Sequence, residues 1–164
     1  MWCGWPISPT FARLREFVYL ATILDAYSRR CVGWNLSTRI ETNLALGALE
    51  EALATREVKP GLIHHSDRGV QYASYAYTDR LLSVGMQISM SAKGNASAFA
   101  KAESFFKTLK QEEVYLKAYQ TFEEASTTIG QFIEDVYNTK RFHSSLGSVP
   151  PLEFETASYQ GLQH

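Results

Sequence analysis

The sequence is short of cysteine, of net charge and of long apolar runs. Its two cysteines, Cys3 and Cys31, show no CxxC spacing, which argues against a disulfide scaffold or a structural metal site and for a reducing compartment. No run of about eighteen apolar residues occurs, so no membrane-spanning helix is expected. The first ten residues hold no basic stretch followed by an apolar one, so a secretory signal is not expected either, and the expected location is the cytoplasm. A formal net charge of −1 argues against a protein whose whole task is to grip nucleic acid. Internal repeats and low-complexity tracts are also missing.

What is present is enough apolar residue for a core. The chain has 164 residues, 45% hydrophobic and 13% aromatic, which predicts one domain with an interior of ordinary size. The charge is unevenly placed. Acidic residues gather at Glu50–Glu51, Glu112–Glu113 and Glu123–Glu124. Basic ones gather at Arg29–Arg30, at Lys93, Lys101, Lys107 and Lys110, and at Lys140–Arg141. Local basic patches on a near-neutral chain fit a catalytic module whose main DNA-binding domain lies elsewhere.

The pattern along the chain predicts alternating strands and helices. Residues 17–24 and 31–37 are apolar and rich in β-branched and aromatic types around the polar turn Asp25–Arg30, which predicts an antiparallel hairpin. Leu44, Leu46, Leu49 and Leu53 mark a helix from Thr42 to about Arg56. A short strand at 62–65, a helix at about 74–84 and a strand at 86–90 follow. A long helix is expected over about 97–114, and another over about 121–140, with Thr121 and Glu124 at capping-box spacing. The proline-containing segment from Ser148 to Phe154 is expected to be extended and packed on the surface. The sum is a mixed α/β sheet flanked by helices. Residues 1–120 form the core proper, and 121–164 add a helix and tail to it.

Two carboxylates stand out. Asp67 closes the short strand at 62–65, and Glu103 sits inside the long helix. A strand end and a helix can bring two carboxylates together on Mg²⁺, which takes oxygen ligands and commonly only one or two from the protein. Two such ions activate an attacking hydroxyl and stabilise the leaving oxygen of a phosphodiester. Lys107 and Lys110, four and seven residues after Glu103, share its helix face, where ammonium groups suit a phosphate backbone. With seventeen acidic residues in the chain, the spacing alone fits a solvated salt-bridge face at least as well.

Whole segments carry more. LIHHSDRGVQY at 62–72 and GNASAFAKAESFFKTLK at 94–110 resemble the second and third catalytic segments of IS3-type transposases, which group with the retroviral integrases in the DDE superfamily. FVYLATILDAYSRRCVGW at 17–34 resembles that family's second and third strands, and YNTKRFHSSLGSVPPLEFE at 137–155 its C-terminal signature. The resemblance implies a ribonuclease H-like fold with a five-stranded mixed sheet, hydrolysis and transfer of DNA strands, two Mg²⁺ or Mn²⁺ ions, and assembly into a homo-oligomer on transposon ends and target DNA. It implies that Asp67 and Glu103 are the second and third catalytic carboxylates. It also implies DNA contacts from Lys107 and Lys110.

Arg68, beside Asp67, is a candidate to orient that carboxylate or meet phosphate. Lys93, Lys140 and Arg141 are further candidate DNA contacts, with His143 beside them, although a cationic helix C-terminus is also favoured by the macrodipole. His64 and His65 fall at alternating strand positions, which predicts hydrogen-bonded structural roles, since Mg²⁺ chemistry does not call for imidazole. Ser66 has no Ser-His-acid arrangement around it, and Gly69 permits the turn after the strand. Trp34, Phe105 and Phe106 are expected in the core.

The chain departs from the family pattern in two places. The first catalytic aspartate would fall in a W-x-G-D-I-T-Y-like segment. Trp2-Cys3-Gly4 fits its start, but Trp5 stands where the aspartate belongs, and no Asp precedes Asp25. Pro6 and Pro9 make a poor central strand, so the first strand is expected to be degenerate, in a truncated or frame-shifted copy. Asp25 is the available replacement metal ligand, but a turn aspartate bonding nearby backbone is the simpler reading. Glu16 reads as a hairpin-turn residue. Second, Ser97-Ala98-Phe99-Ala100 replaces the family's usual Tyr-Asp-Asn-Ala, removing polar groups near Glu103. Three readings follow: a transposase core, a catalytically inactive remnant that binds DNA or transposase subunits, and a nuclease that uses Asp25.

Overall fold

The computed structural model describes residues 2–7, 17–66, 71–90 and 96–161. Strand β1 (Trp2–Ile7) pairs antiparallel with β2 (Val18–Leu24), which pairs antiparallel with β3 (Cys31–Ser37). Strand β4 (Ile63–His65) pairs parallel with β5 (Gln87–Ser89). The five expected strands are all present. Among the described residues they form one ladder of three and one of two.

The first strand is better formed than the sequence predicts. All six residues of β1 pair with β2 in unbroken register, Trp5 opposite Leu20 and Pro6 opposite Tyr19. In the described sheet β1 is an edge strand, where a proline's missing N–H is tolerated.

Strand alternation distributes β2 between two apolar clusters. Val18, Leu20 and Leu24 face α3 (Ala96–Glu112) and α4 (Phe122–Gln131), meeting Phe105, Phe106, Leu109 and Ile129. Ala21 and Ile23 face α1 (Thr42–Thr55) and α2 (Tyr75–Ser83), meeting Leu44, Leu49, Tyr77 and Leu81. The sheet is therefore sandwiched between helices. Helix α1 lies so close that a Cβ on Gly33 would sit 2.2 Å from the Ala48 carbonyl oxygen. Trp34 packs against the first cluster and fills the space beside Gly130.

Two boundaries differ from expectation. The helix that starts at the Thr121 cap does not run unbroken to 140. Glu124 N–H donates to the Thr121 hydroxyl at 3.1 Å, and the Glu124 carboxylate accepts from Gln120 N–H at 2.7 Å. After Gln131 the helix widens into a π turn over Phe132–Tyr137. The wider turn delivers the Asn138 side chain to the free edge of β3, where it accepts from Cys31 N–H and donates to the Cys31 carbonyl, both at 2.9 Å. An edge strand's open backbone groups are satisfied by one amide. The second difference is the tail, expected to be extended. It is α5 (Pro151–Gly161). A proline at the first helical position costs no hydrogen bond and has a helical φ already, so Pro150-Pro151 starts this helix instead of forbidding one.

Candidate metal centre and DNA-facing helix

Helix α3 is oriented by what it buries. Ala102, Phe105, Phe106 and Leu109 go into the core. That fixes the opposite row outward: Glu103 and Lys107 are exposed, and Lys110 is half-buried. The ammonium of Lys101 reaches the turn between β2 and β3 and donates to the Ala26 carbonyl at 2.8 Å. The helix is thus held by packing along its inner face and by a directed bond near its start. The Lys101 tether carried no signal in the sequence.

Strand β4 leads toward the other carboxylate. His64 is 3% exposed, and its Nε2 lies 3.1 Å from the Tyr77 hydroxyl. Burial pushes its pKa down to about 3, so the ring is neutral. Burial also lowers the pKa of half-buried His65. His64 therefore has the buried, hydrogen-bonded role expected of a strand histidine. Ser66 N–H donates to the Ser89 carbonyl at 3.2 Å, extending the parallel ladder by one residue. Asp67, Arg68, Gly69 and Lys93 lie outside the described residues, as does Glu16. The structure brings the chain to within one residue of Asp67 and carries Glu103 on a fixed helix.

Asp25 has a different setting. Its carboxylate accepts Tyr27 N–H at 2.8 Å and Ser28 N–H at 3.3 Å, and faces Arg56 at 3.8 Å. It builds the turn, as a local aspartate does. Beside it Glu155 of α5, 5% exposed, takes the Ser28 hydroxyl at 2.7 Å, Arg30 at 3.0 Å and the Arg56 guanidinium. Burial alone would raise the Glu155 pKa, but the hydrogen bonds from Ser28, Arg56 and Arg30 outweigh it and hold the carboxyl below its ordinary value. The sequence gives no sign of this network, because its members Ser28, Arg30, Arg56 and Glu155 lie on segments far apart in the chain.

Of the remaining candidates, Lys140 is exposed, while Arg141 is ion-paired with Glu112 at the end of α3. Burial lowers the pKa of His143, whose ring packs edge-on to Tyr137 at 5.1 Å. Among the described residues no group of three or more His, Cys, Asp or Glu side chains gathers into a metal cage. None of their helices is long and apolar enough to cross a membrane.

The family model described as "Integrase core domain" matches residues 5–96, and a second model of the same description matches residues 84–151. The chain belongs to the integrase core family. Relatives place it with the IS3-type insertion-sequence transposases of the DDE superfamily. It is 44% identical over 138 residues to "Transposase for insertion sequence element IS904" of Lactococcus lactis, covering 84% of this chain and 54% of the relative. It is 38% identical over 152 residues to "Transposase InsF for insertion sequence IS3A" of Escherichia coli, covering 92% and 53%. The chain thus spans about half the length of these curated relatives. Among solved structures, the catalytic core domain of BIV integrase superposes with a TM-score of 0.69 at 15% identity, covering 99% of this chain and 97% of that one. The HTLV-2 integrase catalytic core, solved in complex with magnesium, gives 0.64 at 12%, covering 93% and 91%. At such identities the likeness speaks for the fold, which is ribonuclease H-like.

Proposed function

We propose that this integrase core acts on DNA in transposition, by metal-dependent phosphodiester hydrolysis and strand transfer, with Asp67 and Glu103 as two of its metal-binding carboxylates. The observation that carries this reading is the outward row of α3. A carboxylate and a lysine one turn apart, Glu103 and Lys107, both face solvent on a helix locked by Phe105, Phe106 and the Lys101 tether. The fit to a hard divalent cation is chemical. The exposed donor, Glu103, offers carboxylate oxygens, the ligand type such a cation takes. Asp67 and Glu103 would hold Mg²⁺ or Mn²⁺, in the family's manner two ions. When bound, such ions neutralise phosphate charge and make water or a hydroxyl a stronger nucleophile. Lys107 and Lys110, with Arg68, Lys93, Lys140 and Arg141, are proposed to track the phosphate backbone, and other transposase chains are proposed as partners.

A second reading rests on one position. Trp5 occupies the middle of a fully paired β1 where the family has its first aspartate. A metal site missing one carboxylate loses charge and geometry together, so the chain as it stands is an inactive core that still binds DNA or transposase subunits. Recruitment of Asp25 has the turn network against it.

Mn²⁺-dependent nicking of supercoiled plasmid separates these readings. Trp5→Asp is expected to nick, and the Trp5→Asp, Glu103→Ala double variant is expected to be silent. Equal nicking by both would remove Glu103 from the site. Nicking by the unaltered chain would overturn the inactive reading. Silence of Trp5→Asp with DNA binding intact would leave the binding remnant.

A further inference from the structure

Helix α3 carries Glu103 in its third turn, and the turns before it are lightly held. Among its described side chains the first fully buried one is Ala102; Ala100 is exposed, and Phe99 is half-buried against the first cluster. No acidic residue stands in the first turn to answer the helix dipole. A directed bond ties this end down. The Lys101 ammonium donates to the Ala26 carbonyl at 2.8 Å. A lysine on a helix surface ordinarily keeps its ammonium in water, and this one gives up the freedom of a long side chain to reach a neutral carbonyl. The post it reaches is itself fixed. Ala26 sits in the β2–β3 turn, closed by Asp25 N–H on the Arg30 carbonyl at 2.8 Å and by Arg29 N–H on the Asp25 carbonyl at 2.9 Å. The Asp25 carboxylate takes Tyr27 N–H, and Ser28 and Arg30 are bound to buried Glu155 of α5.

We propose that Lys101 is a positioning residue for the metal centre. Its bond to Ala26 fixes the second turn of α3 and thereby sets Glu103, two residues on, where a divalent cation is to meet it. The proposal rests on the reading above that Glu103 binds metal, and adds the group that holds that carboxylate in place. The two side chains leave the helix about 200° apart, so the lysine acts through the backbone and not by touching the carboxylate. A carboxylate on a fraying helix end must be ordered when the metal binds. One on a tethered turn is ordered beforehand, which favours binding.

The sign of the effect separates position from charge. By Coulomb's law, removing a cation near a bound dication strengthens metal binding. Losing a contact that orients a metal ligand weakens it. The test follows Mn²⁺ binding to the 164-residue chain by the electron paramagnetic resonance of the free ion. Lys101→Met is expected to weaken binding about tenfold, and Lys101→Arg, which keeps a donor for the carbonyl, is expected to match the unaltered chain. Without metal, hydrogen exchange in Lys101→Met is expected to quicken at amides 100–103 and stay unchanged at 105–112. Unchanged or tighter Mn²⁺ binding by Lys101→Met overturns the positioning role, and so does unchanged exchange at 100–103. Faster exchange along the whole of α3 overturns it too, because it marks general destabilisation. Glu103→Ala reports separately on the underlying reading. If it weakens Mn²⁺ binding while Lys101→Met does not, the carboxylate binds metal and only the tether is idle. If Glu103→Ala leaves Mn²⁺ binding unchanged, or the chain binds no Mn²⁺, both readings fall.

Discussion

Glu155 and Glu103 are both helix carboxylates with cations nearby, yet they sit in opposite settings. Glu155 is buried against Ser28, Arg30 and Arg56, where its charge is already answered by the protein and cross-links α5, the β2–β3 turn and the end of α1. Glu103 is exposed on the outer row of α3. The buried one can serve only the fold, because withdrawing a partner would strand a charge away from water. The exposed one contributes little to the fold and is available to a ligand. The strongly engaged carboxylate is structural, and the exposed one is the proposed ligand.

The largest expected effect tests this contrast on stability. Glu155→Leu should cost about 3 kcal/mol by leaving Arg30 without its carboxylate and Arg56 with only the longer contact to Asp25, whereas Glu103→Ala should stay within about 0.5 kcal/mol. Urea unfolding of both variants checks it, and comparable losses would erase the distinction. Next comes DNA affinity. Lys107→Ala should weaken duplex binding severalfold and reduce the slope of log affinity against log salt by about one, with an unchanged melting temperature. A lysine of the buried network's neighbourhood, Lys59→Ala, should leave that slope alone.

A further contrast lies in the pH dependence of stability. His64 has a folded pKa of about 3 against an ordinary 6.5. The unfolded chain takes up this proton first, so stability is lost as pH falls from 6.5 toward about 3. The Glu155 carboxyl, held below its ordinary 4.5, contributes fully above that pH and is lost only below it. Stability measured from pH 6.5 to 4.5 should therefore flatten in His64→Gln and keep its slope in Glu155→Gln. His65 and His143 act in the same direction as His64, so a residual slope is expected.

Much of the scaffold was legible because local pattern and tertiary demand agree. The β2–β3 hairpin, the Leu stripe of α1 and the Thr121–Glu124 cap each follow from residue spacing, and the core rows of α3 follow from Phe105 and Phe106. The π turn at Phe132–Tyr137 was not legible, because its reason is Asn138 reaching Cys31, more than a hundred residues away. Helix α5 was hidden by two prolines that read as a stop. Its docking is stabilised by the Tyr27–Phe154 ring contact at 5.1 Å and by Glu155.

The sequence by itself determined the family, the order of the elements from β2 to α4 and the substitution of Trp5 for an aspartate, since these are properties of residue identity and spacing. Only the tertiary structure decided that β1 forms despite Pro6, that Glu155 is consumed by a buried turn network, and that Glu103 faces outward from a packed helix. Exposure and pairing are set by what packs on each residue from elsewhere in the chain, and local sequence carries no record of those neighbours.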